Sequence, residues 1–179
     1  MELGMTIFLF VAIFACFGYQ AQARRLEIYI KSEGCDDPGI TGCGHAIIRV
    51  NGKDVSKHGR GYNVVVVNGR TGVVESSVSF DTHHNPKAHN GLIFHLHNIQ
   101  HGKLVLIAVQ DASSGQMTDA AYHALKEFGA RNPLKGKLRN SYALLGWSGY
   151  GVLDAVTQIQ RDRYLGPSII SKVISLPLY

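Results

Sequence analysis

Cysteine is scarce in this chain: three residues in 179, and one of them, Cys16, lies in the N-terminal apolar run. A multi-disulfide scaffold and a four-thiolate zinc site are both excluded by that count. Proline is also sparse at five, and there is a single tryptophan, while the 20 glycines show no period, so collagen-like, proline-rich and repeat architectures are set aside. Neither charge sign dominates strongly. A formal balance of +5, spread along the chain, gives no block of basic residues of the kind that marks a nucleic-acid partner. Asn-x-Ser/Thr acceptor sites, a phosphate-binding loop and a dinucleotide fingerprint are all missing.

The one long hydrophobic run, Met5 to Phe17, is 13 residues, short of the roughly 20 that span a bilayer. It is followed by Ala21-Gln22-Ala23, the small-x-small pattern that signal peptidase accepts, so residues 1–23 read as a secretory leader cleaved before Arg24. The expected product is a secreted, extracellular chain of residues 24–179 without a membrane anchor. An oxidising compartment then pairs the two cysteines that remain, Cys35 with Cys43, closing a small loop that contains Asp36 and Asp37. A metal there would need ligands beyond His45, so no metal and no cofactor are expected.

Periodicity predicts mostly β structure. Leu26, Ile28 and Ile30 alternate with polar residues, and Ala46–Val50 runs into Asn51-Gly52, a hairpin signal, before Lys53–Ser56. Val64–Val67 is apolar without alternation and predicts a strand buried on both faces, turning at Asn68-Gly69 into Val74, Val78 and Phe80. Helices are predicted over residues 89–100 and from a Thr118 cap to Gly129, with strands at 103–110, 142–146 and about 169–174. Gly146–Gly151 reads as a break in regular structure. Strands, helix, strand, helix and strands in that order indicate a mixed α+β domain.

Catalytic signals are weak. Gly146-Trp147-Ser148-Gly149 lacks the second spacer of a nucleophile elbow, and no paired catalytic carboxylates stand out, so no enzyme is expected. Six histidines crowd residues 83–101, with His97 and His101 sharing a face if the helix reaches both. Without acidic or thiol partners at fitting spacing they read as exposed polar residues. Three polar residues stand at ends of apolar strands: Arg60, Asp111 and Arg139. Two guanidinium forks and a carboxylate, if they converge, offer donors and acceptors to a hydroxyl- or amide-bearing ligand, with Tyr142 available to stack on a sugar face.

Several ordered motifs carry a family resemblance. Gly39–Gly44 (GITGCG), Arg49–Gly52 (RVNG), Arg60–Val67 (RGYNVVVV), Phe80-Asp81-Thr82, Leu104–Asp111 (LVLIAVQD), Ala121–Gly129 (AYHALKEFG) and Leu138–Gly146 (LRNSYALLG) follow one another at a spacing that resembles the ILEI/PANDER domain over Leu26 to Leu178. That resemblance implies a fold of two packed β-sheets flanked by short helices in a secreted, cytokine-like factor. It also implies sugar binding. The similar stem domain of protein O-mannose N-acetylglucosaminyltransferase holds a β-linked N-acetylglucosamine through residues matching Arg60, Asp111 and Arg139. This chain departs from that pattern at Asn140 and Tyr142, where the family often has Asp and Trp, and in carrying one Cys pair instead of two. The expectation is a non-catalytic, lectin-like module binding glycans or glycoproteins. The alternative is a cytokine-like ligand for a cell-surface receptor.

Overall fold

A computed structural model describes residues 24–131, 137–149 and 154–176; the proposed leader, the end of the Gly-rich run and the last three residues lie outside them. Its strands and helices run β1 (Arg25–Ser32), β2 (Ala46–Val50), β3 (Lys53–Asp54), β4 (Gly61–Asn68), β5 (Val74–Phe80), α1 (Ala88–His97), β6 (Lys103–Gln110), α2 (Asp119–Lys126), β7 (Ser141–Ser148), β8 (Thr157–Arg161) and β9 (Ser168–Ser175). They form a four-stranded sheet in the order β3-β2-β1-β9 and a five-stranded sheet in the order β5-β4-β6-β7-β8, every pair antiparallel. The fold is a mostly-sheet α+β domain, as the sequence predicts.

The five-stranded sheet is the middle layer, and the period of two in a strand assigns its side chains. Val65, Val67, Leu104, Leu106, Ala143 and Leu145 face the four-stranded sheet and meet Leu26, Ile28, Ile30 and Ile48. The alternate residues, among them Val64, Val105, Ile107 and Leu144, face the other way and are covered by Leu92 and Leu96 of α1 and Leu125 of α2. A strand covered on both faces has no polar side, which is why β4 and β6 read as unbroken apolar runs although their pairing is antiparallel.

Local chemistry fixes the ends of these elements. Asn51 and Gly52 both take positive φ, 49° and 77°, as the tight β2–β3 turn requires. Thr118 Oγ1 accepts the Ala121 amide at 3.3 Å and caps α2.

Three expectations are corrected. The predicted first helix ends at His97 and not near residue 100, with Asn98 as its cap, so His101 is off the helix and shares no face with His97. Strand β7 continues through Gly146 and Trp147 to Ser148, because glycine there lets the chain pass α2's end: a Cβ on Gly146 would lie 2.6 Å from the Phe128 carbonyl oxygen. Strand β8 adds an element where the sequence predicts none. It is an edge strand with one apolar residue, Ile159, among Thr157, Gln158, Gln160 and Arg161, and so carries little periodic signal. Among the described residues no helix is long and apolar enough to cross a membrane.

Candidate functional site

Antiparallel order brings one end of every long strand to the same rim. The starts of β4, β7 and β9 and the ends of β1, β5, β6 and β8 meet there, and Arg60, Asp111 and Arg139 each stand one or two residues beyond such an end.

Arg60 lies between two glycines that the neighbouring strand demands. A Cβ on Gly61 (φ +85°) would lie 2.3 Å from the Phe80 carbonyl oxygen, and one on Gly59 would lie 2.5 Å from Ser79 Oγ. Asn63, buried in β4, closes this turn by accepting the Gly59 amide at 2.9 Å and donating to the Gly59 carbonyl at 2.6 Å. The Arg-Gly-Tyr-Asn motif is therefore a device for holding Arg60 against the end of β5. There its guanidinium forks onto Asp81, Nε to Oδ1 at 3.1 Å and Nη2 to Oδ2 at 2.7 Å. The hydrogen bond to Arg60 holds the Asp81 carboxyl below the usual carboxylate range, against a smaller opposing effect of burial.

Asp111 and Arg139 share an uncommon backbone: both are non-glycine residues in the left-handed region, with φ 59° and 60°. The Asp111 amide donates to the Glu33 carbonyl at 3.1 Å, which ties the end of β6 to the segment after β1. Arg139 is pressed from that same segment, since a Cβ on Gly34 would lie 2.1 Å from the Arg139 carbonyl oxygen. Such strain costs on the order of 1–3 kcal/mol per residue and persists where surrounding structure over-determines it.

The two side chains approach each other, Arg139 Nε lying 3.9 Å from Asp111 Oδ1. That oxygen is buried and has no hydrogen-bond partner among the described residues. Arg139 Nη1 also donates to both carboxylate oxygens of Asp36, each at 3.0 Å, and Arg163 Nε reaches the same carboxylate at 2.5 Å. Burial alone would raise the Asp36 carboxyl, but the two guanidiniums outweigh it and hold Asp36 low. The Asp111 charge acts on both Arg60 and Arg139, although their main partners are Asp81 and Asp36. Three guanidiniums and three carboxylates thus alternate around one rim.

The structure brings Arg60, Asp111 and Arg139 to this rim but leaves Tyr142 out. Its ring is fully buried in β7, tilted against Tyr62 at 6.4 Å between centroids. Burial pushes its hydroxyl well above the usual phenol range. A ring in that position has no face for a ligand, so the expected stacking role of Tyr142 is withdrawn.

Asp36, Asp81 and Arg163 escaped sequence reasoning. The β4–β5 register pairs Tyr62 with Phe80, which places Arg60 beside Asp81, so a hairpin register drawn from Val64–Val67 and Val78 would have found that pair. Asp36 sits in the loop closed by the Cys35–Cys43 disulfide, which forms as expected.

The sulfurs of that disulfide and a carboxylate oxygen of Asp111 lie within 4.8 Å of one another, but sulfurs bonded to each other offer no thiolate to a metal. The histidine stretch forms no ligand cluster among the described residues. His97 faces Glu127 at 3.6 Å, and His95, expected to be exposed, is half-buried against the Phe80 ring with its pKa lowered by burial.

The family model of the Interleukin-like EMT inducer matches residues 60–150, half of the chain, and so includes Arg60, Asp111 and Arg139 but not Asp36 or Arg163. The human protein FAM3D is 32% identical over 88 residues, which make up 49% of this chain and 38% of that relative's own length. With the family model covering half its length, this chain belongs to the Interleukin-like EMT inducer family, a family of cytokine-like factors.

Proposed function

We propose that the chain is a secreted, non-catalytic carbohydrate-binding module for β-linked N-acetylglucosamine-type glycans, held by Arg60, Asp111 and Arg139. The observation that carries the reading is the approach of Asp111 to Arg139, 3.9 Å apart at the ends of two adjacent strands, both on left-handed backbone. Strain of this kind concentrates at binding sites.

The rim's charge balance supports a neutral ligand. Its guanidiniums are matched by carboxylates, so it attracts no anion strongly, yet it presents many fixed donors and acceptors, the pattern that suits hydroxyls and an acetamide. A catalytic role fits poorly. Asp36 and Asp81 are held ionised by their arginines, and a glycosidase needs one carboxyl that keeps its proton. Affinity at one shallow site should be weak, and clustering would supply avidity. The N-terminal leader, cleaved before Arg24, accounts for export, and an exported chain suits the disulfide.

The test is a glycan array with protein secreted from cells expressing the full chain, beside Arg60→Ala and Arg139→Ala. Binding to N-acetylglucosamine-terminated glycans that both variants lose is the expected result, with Arg24 as the N-terminus by sequencing. A blank array from folded protein refutes the reading. Family membership favours a second reading, a cytokine-like ligand for a cell-surface receptor. That one is supported if cell binding survives loss of both arginines.

A further inference from the structure

If the rim binds a sugar, it needs an apolar face as well as polar groups, because hydrogen bonds alone exchange water for protein with little net gain. Tyr142 does not supply that face. Tyr164, in the turn between β8 and β9, does. Its side chain is 57% exposed, and it too has left-handed backbone, φ 71°.

The ring is held in place by its surroundings. Asn140, buried at the start of β7, donates from Nδ2 to Asp162 Oδ1 at 2.7 Å and accepts the Arg163 amide at 3.1 Å, so its two amide ends clamp the residues on either side of the turn's entry. The Leu165 amide closes the turn on the Asp162 carbonyl at 3.0 Å. The Arg163 guanidinium lies 4.7 Å from the Tyr164 ring centroid and is itself fixed to Asp36, the carboxylate that also holds Arg139. One chain of contacts therefore runs from the aromatic ring through Arg163 and Asp36 to Arg139.

Asn140 now has a reason. An aspartate at this position could not donate to Asp162 and would set two like charges against each other, so the amide is what this turn requires.

We infer that Tyr164 is the stacking platform of this site, receiving the apolar face of the N-acetylglucosamine ring while Arg139 and Asp111 engage its polar edge. The inference rests on the carbohydrate reading above. A rigid aromatic whose position is already fixed loses little conformational entropy on binding, which suits a weak, shallow site.

The experiment titrates the wild-type chain, Tyr164→Ala, Tyr164→Phe and Arg139→Ala with methyl β-N-acetylglucosaminide and with diacetylchitobiose, followed by NMR of both protein and sugar. The wild-type protein and Tyr164→Phe should shift the sugar's axial ring protons upfield through the ring current. Tyr164→Ala should abolish that shift and bind about tenfold more weakly, equivalent to about 1.4 kcal/mol. The ring is solvent-exposed, so Tyr164→Ala should fold normally, and its amide spectrum checks this. Wild-type binding that Arg139→Ala loses but Tyr164→Ala keeps, with the upfield shift intact, overturns the platform and leaves the site standing. No binding by the wild-type chain overturns the carbohydrate reading and the platform with it.

Discussion

The middle of the five-stranded sheet and the rim at its strand ends are built on opposite terms. In the middle, every side chain of β4 from Tyr62 to Val67 and of β6 from Leu104 to Val109 is buried, the β4–β6 register is unbroken, and packing on two faces is redundant. At the rim, Asp111, Arg139 and Tyr164 are non-glycine residues with positive φ, and half-exposed ion pairs hold the side chains. Stability comes from the first region. The second draws on it, because a well-packed sheet can keep strained loop residues in place. The two regions should therefore respond to substitution in opposite ways, one in stability and the other in binding.

The largest effect is expected from opening the middle layer. Leu106→Ala removes a fully buried side chain between the two sheets and should cost about 2–5 kcal/mol in chemical denaturation, with glycan binding by the remaining folded protein unchanged. Gly61→Ala tests the seam between the regions. It places a Cβ against the Phe80 carbonyl on left-handed backbone, and it should cost at least about 2 kcal/mol and weaken binding as Arg60 shifts.

Arg139→Gly separates stability from binding most cleanly. Relief of the positive φ offsets the lost ion pair, so stability should stay within about 1 kcal/mol while binding falls roughly ten- to a hundredfold, as for loss of a charged hydrogen bond. A melt and a titration on the same sample check both.

Smaller still on binding is the effect of Cys35→Ser with Cys43→Ser. The closed loop is short, so stability should fall by no more than about 2–3 kcal/mol, and binding should weaken several-fold as Asp36 loses its tether. The smallest effect is that of pH. Asp36 and Asp81 have lowered pKa values in the folded chain, so their ion pairs contribute stability above the ordinary carboxylate pKa, and that contribution is lost as pH falls through the lowered values. Carboxyl carbon shifts of both residues, followed by NMR below pH 5, should titrate at the lowest pH in the wild-type protein and at a higher pH in Arg139→Ala for Asp36, which keeps Arg163, and in Arg60→Ala for Asp81, which keeps the His83 and His84 amides.

The contrast also explains what could be read in advance. The apolar runs of β4 and β6, the Asn51-Gly52 turn and the Thr118 cap are local signals, and the sheet core they specify forms as predicted. Arg60, Asp111 and Arg139 were legible because each ends an apolar strand. Their partners were less so: Asp36 and Arg163 meet across 127 positions of sequence, and only the folded topology joins them. Tyr142 misled because its neighbour Arg139 is at the rim, whereas Tyr142 is already inside β7, where the pleat turns its ring to the helices. Strand β8 and the Tyr164 turn, too polar to show a period, gave no local sign.

The most direct test is an amide chemical-shift titration of the wild-type chain with methyl β-N-acetylglucosaminide, with Arg139→Gly alongside. Shifts confined to the rim around Arg60, Asp111 and Arg139, absent in the folded variant, are the predicted result. No shifts at saturating sugar, or shifts that persist in Arg139→Gly, would contradict the claim that the strained rim is a carbohydrate site.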